Sequence, residues 1–250
     1  MTRMTTHRAD ADQHPELAEH YLHKAIGAED PDQRLEMAQR GLETEHLAPS
    51  THMLLLRQRY LGHLEQGAPQ QALDAIEQAL RIGELEDVCH QDAARALVLL
   101  GRWNDAAGHL RLAARVCPAE RRAFHLWTLG SGLFLEGQLQ EAEMTMRKAM
   151  RWATTERPLV AAQLTLVLLA QGKPTPPLHR VIEDLEGVPG SQGYGRFVLG
   201  LLYDHAGNPK RATEHLQAFV ERTERGRVAT RLSLDRELTY AKRMLTKLKE

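Results

Sequence analysis

Glycine recurs at Gly67, Gly101, Gly137, Gly172 and Gly207, in steps of 34, 36, 35 and 35 residues, and each stands between two amphipathic segments. A beat of this length restricts the chain to an array of equal supersecondary units, each burying its apolar face on the next. The residues around the glycines keep the same phase. An alanine follows four of them by five positions (Ala72, Ala106, Ala142, Ala212) and three of them by twelve (Ala79, Ala113, Ala149). Nine positions after each glycine come Ile76, Leu110, Met146, Val181 and Leu216, where a helix presses a large apolar group into its neighbour. Eight and seven positions ahead of three of them lie Ala93-Ala94, Leu129-Gly130 and Leu199-Gly200, with Leu97, Leu133, Leu168 and Tyr203 at minus four. Large and small side chains thus alternate on one helical face, the small ones admitting a neighbouring helix and the large ones filling the gap.

A period near 34 residues, holding helix, tight turn and helix, resembles the tetratricopeptide (TPR) repeat. Arg122 to Thr154 is the best single copy, with Leu126, Leu129, Gly130, Leu133, Gly137, Ala142, Met146 and Ala149 in the family's places. Five copies run in phase. A sixth, degenerate one from Pro15 to Pro49 opens with Tyr21 and Leu22 but carries Arg34 where the packing alanine belongs, and reads as an N-terminal cap. The resemblance implies an all-α, right-handed α-solenoid over residues 15–230, with repeats at about 15–50, 53–86, 87–122, 123–157, 158–192 and 193–226. A flexible arm, 1–14, is expected before it and a capping helix, 231–250, after it. The fifth repeat departs from the pattern at Lys173-Pro174-Thr175-Pro176-Pro177, where Pro177 replaces the alanine. Proline is tolerated in the first turn of a helix and not inside it, so a short helix from about Pro177 to Leu185 is expected there, and with it a weaker joint.

Composition is that of an ordinary soluble protein, 42% apolar and 26% charged. The longest apolar stretch, Pro158 to Ala170, is interrupted by Gln163 and Thr165 and falls short of the ~20 residues a membrane span needs. The first ten residues, Met-Thr-Arg-Met-Thr-Thr-His-Arg-Ala-Asp, lack the apolar core of an export signal, so a cytoplasmic protein is expected. Cys89 and Cys117 then read as reduced packing thiols. Net charge is −1, but residues 1–50 carry ten acids against five bases and residues 221–250 nine bases against five acids. Only Tyr240 is interleaved with those bases, so no nucleic-acid partner is expected.

Thirteen histidines invite a search for metal ligands. His20 and His23 lie three apart beside Glu16 and Glu19 without a third placed partner, and Asp87, Cys89, His90 and Asp92 are too close in sequence to converge on one helical face. No Gly-x-x-x-x-Gly-Lys loop, Gly-x-Ser-x-Gly elbow or His-Glu-x-x-His pair is present. The reading is therefore of no catalytic set, no metal and no cofactor.

Function is then expected on a surface. The resemblance implies that the first helix of each pair lines a concave wall. Counting back thirteen, ten, six and three positions from each glycine picks out Leu54, Arg57, Leu61 and Leu64 in the second repeat and Val88, Gln91, Arg95 and Val98 in the third. It then gives Phe124, Trp127, Ser131 and Phe134, next Leu159, Ala162, Leu166 and Leu169, and finally Tyr194, Phe197, Leu201 and Asp204. Five of the chain's twelve aromatic residues fall on this wall, in three consecutive helices that are apolar on nearly every side. Such helices must be covered all round. The cover can be the groove itself, if six repeats curl enough to close it, the chain's own last helix folded in as a lid (about Leu232–Leu248, with Leu234, Leu238, Ala241, Met244, Leu245 and Leu248 in phase, a helix that more usually caps the sixth repeat's open face), a partner's segment, or a second copy. The family's best-known peptide binders hold a terminal carboxylate with lysine, arginine and asparagine, a set these positions do not supply. The expected function is a protein-interaction adaptor that takes an apolar or amphipathic segment on repeats four to six, the alternative a self-assembling scaffold. Contact residues would be Phe124, Trp127, Phe134, Leu166, Tyr194, Phe197 and Leu201, with Trp127 and Phe197 as anchors and Arg57 and Arg95 selecting acidic residues.

Overall fold

The periodic glycines end helices in the left-handed region. In the computed structural model, which describes residues 7–249, Gly67, Gly101, Gly137, Gly172 and Gly207 have φ of 71°, 71°, 73°, 64° and 71°. At Gly137 the amide donates to the Phe134 carbonyl (3.0 Å) and the next amide, of Gln138, to Leu133 (2.9 Å). Those bonds satisfy carbonyls that the helix end would otherwise leave open. A Cβ on Gly137 would meet nothing within 4 Å, so the backbone angle alone demands glycine.

Six helix pairs result: α1 (His7–Gly27) with α2 (Pro31–Leu42), α3 (Pro49–Glu65) with α4 (Pro69–Leu80), α5 (Glu86–Leu99) with α6 (Trp103–Val116), α7 (Ala119–Leu135) with α8 (Leu139–Trp152), α9 (Arg157–Ala170) with α10 (Leu178–Glu186), and α11 (Tyr194–His205) with α12 (Pro209–Glu224). A 3-10 turn at Pro189–Gln192 feeds α11. No strand occurs among the described residues. Of the expected N-terminal arm, residues 1–6 lie outside the described residues, and 7–14 belong to α1 rather than to an arm. The single last helix expected over Leu232–Leu248 is two, α13 (Val228–Ser233) and α14 (Asp235–Lys247), broken at Leu234, whose ψ of 17° and φ of −115° interrupt the helical run.

Contacts divide the chain into two compact units, one ending at Ala113 and one beginning at Ala114. In the first, Arg34 explains why the opening repeat departs from the pattern. Its guanidinium donates to the carbonyls of Ala25 (3.1 Å) and Ala28 (2.7 Å), to Gln58 (3.1 Å) and to Glu65 (3.1 Å), closing the C-terminal end of α1 in the place where other repeats put a methyl group.

In the second unit the alternation of large and small becomes interdigitation. A Cβ added to Gly200 would lie 2.6 Å from Cγ of Leu216, and one added to Gly130 2.8 Å from Cε of Met146. Each glycine therefore receives the large side chain of its own pair's second helix, and Leu216 and Met146 are fully buried. Prolines confine α10 to nine residues, which still bury Val181, Ile182 and Leu185. The segment ahead of it is tied back to α8, where Glu143 accepts from Lys173 (2.6 Å) and Gln171 (3.0 Å).

Candidate functional site

The wall of the second unit is built by α7, α9 and α11, and four of its five aromatic residues form one run. Phe124 lies against Trp127 (ring centroids 5.9 Å apart), Trp127 edge-on to Tyr194 (4.9 Å) and Tyr194 edge-on to Phe197 (5.6 Å). Tilted and edge-on contacts of this kind suit the ring quadrupoles. The run passes from solvent to core. Phe124 is 41% exposed, Trp127, Phe134 and Tyr194 are half-buried, and Phe197 is 0% exposed.

Three of the expected contact residues are thus core residues: Phe197, Leu166 and Leu201 all lie in the apolar cluster of the second unit. Phe197 packs on Phe219 of α12 (ring centroids 5.3 Å), residues of α10 join the same cluster, and the last helix adds to this cover. α14 packs on α12 and sets Leu238 and Ala241 into the same cluster, with the Tyr240 ring edge-on to Phe197 (6.0 Å). Phe134 is also packed against this cluster. At its start α14 reaches back two repeats, where Arg236 pairs with Glu136 at the end of α7. The chain's own C-terminal segment therefore shares in covering the deep part of the wall at Tyr194 and Phe197, and Phe124 and Trp127 lie toward its open end.

A directed chain of hydrogen bonds runs beneath these rings. Trp127 Nε1 (2.6 Å) and Ser131 Oγ (2.9 Å) both donate to Gln163 Oε1, Gln163 Nε2 donates to the Tyr194 hydroxyl (3.3 Å), and that hydroxyl donates to Glu237 Oε1 on α14 (3.3 Å). Gln163 is 0% and Glu237 9% exposed. Burial pushes the Glu237 carboxyl above its usual value, against its own backbone bond, the Arg236 charge and the Tyr194 bond, and it likewise raises the Tyr194 hydroxyl. The sequence reading missed both polar members. Gln163 registers there only as an interruption of an apolar stretch, and Glu237 only as one of the five acids counted over residues 221–250. The available signal is a polar residue at a position whose helical neighbours are all apolar.

In the first unit, Arg57 and Arg95 do stand on the first-helix wall, half-buried, but they do not wait for an acidic ligand. Asp92, 2% exposed, accepts from Arg57 Nε (2.6 Å) and Arg95 Nη1 (2.9 Å), and Arg95 also donates to the Tyr60 hydroxyl (3.3 Å). An internal carboxylate placed between two guanidiniums already fills the role the sequence reading gave to a partner.

Cys89 and Cys117 are free and buried. His90 and His109 approach each other at 3.0 Å between Nδ1 atoms, yet among the described residues no group of three or more histidine, cysteine or acidic side chains is arranged to hold a metal ion. No described helix is long and apolar enough to cross a membrane.

Comparison with known proteins bears on the fold. No family profile matches the sequence, and no curated protein matches it. Among solved structures, a chain of the APC/C hetero-tetramer Cut9-Hcn1 superposes with a TM-score of 0.60 at 16% identity over 97% of this chain, which spans 45% of that chain's length. PilF of Pseudomonas aeruginosa matches with a TM-score of 0.59 at 14% identity, over 81% of this chain and 90% of its own. The C-terminal part of a TPR repeat-containing protein from Cytophaga hutchinsonii gives 0.54 at 13% identity, over 93% and 94%. The fold is that of the TPR-like helical solenoids.

Proposed function

We propose that the chain is a non-catalytic protein-interaction adaptor, taking an apolar or amphipathic helical segment of a partner on the wall of α7, α9 and α11. One observation carries this reading. An aromatic run leads from the exposed Phe124 through Trp127 to a deep region that already holds an amphipathic helix, the chain's own α14. A surface that shelters one such helix has the shape and chemistry to shelter another. The polar side chains gathered at the wall hydrogen-bond to one another in series, an arrangement that positions helices rather than aiming reactive groups at a common point. The wall that supports the reading is narrower than the sequence suggests, with Phe124 and Trp127 outermost and Tyr194 behind them.

Phe124→Glu tests it. The side chain is 41% exposed, so the substitution leaves the core intact, while a charge at an aromatic anchor weakens a partner helix by roughly tenfold or more. The expected outcome is loss of the partners that wild type retains in affinity capture, with unchanged helical circular dichroism. Equal retention by the two proteins sinks the reading. If light scattering instead finds a wild-type dimer that Phe124→Glu converts to monomer, the wall joins identical copies and the scaffold alternative replaces it.

A further inference from the structure

The direction of the hydrogen bonds dictates what can cover this wall. Gln163 Oε1 receives two donors, from Trp127 and Ser131, which fixes the amide so that Nε2 faces Tyr194. The Tyr194 hydroxyl accepts from Nε2 and donates to Glu237 Oε1 on α14 (3.3 Å), with Ser131 also in hydrogen-bond reach. An apolar cover would take the Glu237 acceptor away, at a cost of up to about 1–3 kcal/mol. α14 supplies the acceptor, Glu237, and flanks it with the apolar side chains Leu238, Tyr240 and Ala241.

α14 is held less firmly than the helices it covers. It buries three residues, Glu237, Leu238 and Ala241, whereas α11 buries seven, and α13, which leads into it, buries none. The tether between α12 and α13 is the exposed stretch Arg225-Gly226-Arg227. Of the ion pairs that fasten α14, Arg236–Glu136 has side chains 25% and 33% exposed, while Lys242–Glu224 has side chains 56% and 46% exposed, and exposed pairs contribute little. A helix of thirteen residues is marginal alone in water, so α14 takes its order from the wall.

We infer that α14 is the resident ligand of its own wall, and that the external ligand is a partner's amphipathic helix of the same chemistry: a carboxylate residue followed by apolar groups one, three and four positions later. Such a helix displaces α14 and returns an acceptor to Tyr194. The inference rests on the adaptor reading of the same wall and adds the partner's recognition pattern and the competition that controls access.

The test uses the full chain and a fluorescently labelled synthetic peptide with the sequence of residues 227–250. Leu238→Asp releases α14 without touching α7, α9 or α11, and this variant is expected to bind the peptide at least tenfold more tightly than wild type by fluorescence anisotropy. A peptide carrying Glu237→Lys is expected to bind it at least tenfold more weakly than the native sequence. Equal binding by wild type and variant, or by the two peptides, overturns the inference. Should Leu238→Asp lose helicity, hydrogen exchange on the wild type decides: amides of α14 are expected to exchange at least tenfold faster than those of α11 and α12, and equal protection overturns it. Exchange of α14 between two copies in a stable dimer would make the occupant a second chain and would overturn it too. Peptide binding to the released variant, together with partner capture indifferent to Phe124→Glu, would refute the adaptor reading alone.

Discussion

Glu237→Gln should stabilise the second unit increasingly as pH rises. Glu237 is 9% exposed and sits among apolar side chains of α11 and α14. Burial is the chief cause that raises its pKa above 4.5, the nearby Asp235 adds to it, and its own backbone bond, the Arg236 charge and the Tyr194 bond oppose it. The sign follows from proton counting. Between 4.5 and the raised folded value, the folded chain keeps a proton that the unfolded chain has released, so unfolding free energy falls as pH increases. The contribution is complete below 4.5 and is lost as pH passes through the folded value. For one proton the slope is at most about 1.4 kcal/mol per pH unit. Glutamine has the same shape, can keep a contact with the Tyr194 hydroxyl and does not titrate. The difference between variant and wild type should therefore be small near pH 4.5, grow as pH rises toward the raised folded value, and level off above it. Urea unfolding followed by tryptophan fluorescence over that range measures it. Parallel stability curves across the range would show that Glu237 does not titrate differently in the folded state. A variant that loses ground as pH rises would mean that the carboxylate is net favourable where it sits, held by Arg236, and the argument from burial would be wrong.

Other expectations follow from the same packing. Gly200→Ala drives a methyl into Leu216 Cγ at 2.6 Å and to 3.3 Å from the Ala212 carbonyl, an overpacking worth about 1–3 kcal/mol. Gly130→Ala meets the flexible end of Met146 and should cost less, while Gly137→Ala, in open space at φ 73°, should cost about 1–2 kcal/mol from its backbone angle alone. Equal losses at Gly200 and Gly130 in urea unfolding would count against the interdigitation described. Asp92→Ala leaves two half-buried guanidiniums without their shared carboxylate and should lower the first unit's stability by about 3–5 kcal/mol. Arg57→Ala should cost distinctly less, because that side chain is 31% exposed and Arg95 still holds Asp92; matching losses for the two variants would mean that the cluster is not organised around the acid.

The repeat architecture is legible in the sequence because each repeat states it again. The turn glycines, the alanines five positions on and the large residue nine positions on all occupy the places that the helix pairs require, and the prolines before Leu178 set the start of α10 directly. Which wall residues face outward is not legible in the same way. Phe124 and Phe197 are both counted onto the wall, thirteen and ten positions ahead of their glycines, and what separates 41% from 0% exposure is the packing of Phe219 on Phe197 together with the placement of α14, whose Tyr240 meets the same ring. That placement depends on contacts with residues as distant as Glu136, which no local period encodes. The setting of Arg57 is hidden for a related reason: the acid that it pairs with, Asp92, sits on the next pair's first helix, a whole repeat away, whereas for Arg95 the same acid stands three positions earlier on its own helix.

The departures from the repeat are where the chain acquires properties that a uniform array would lack. Arg34 closes a helix end that an alanine could not reach, and Gln163 and Glu237 replace apolar groups that would pack at least as well. An all-apolar version of this wall would cover itself with any greasy helix, since hydrophobic burial has no direction. The Trp127–Gln163–Tyr194–Glu237 series does have one: each donor fixes the orientation of the next acceptor, and the last proton points away from the wall. Register on the wall is thereby tied to a single carboxylate, because a helix shifted by one residue presents a side chain that cannot accept. The rings supply most of the adhesion, and the hydrogen-bond series selects which helix, in which register, may use it.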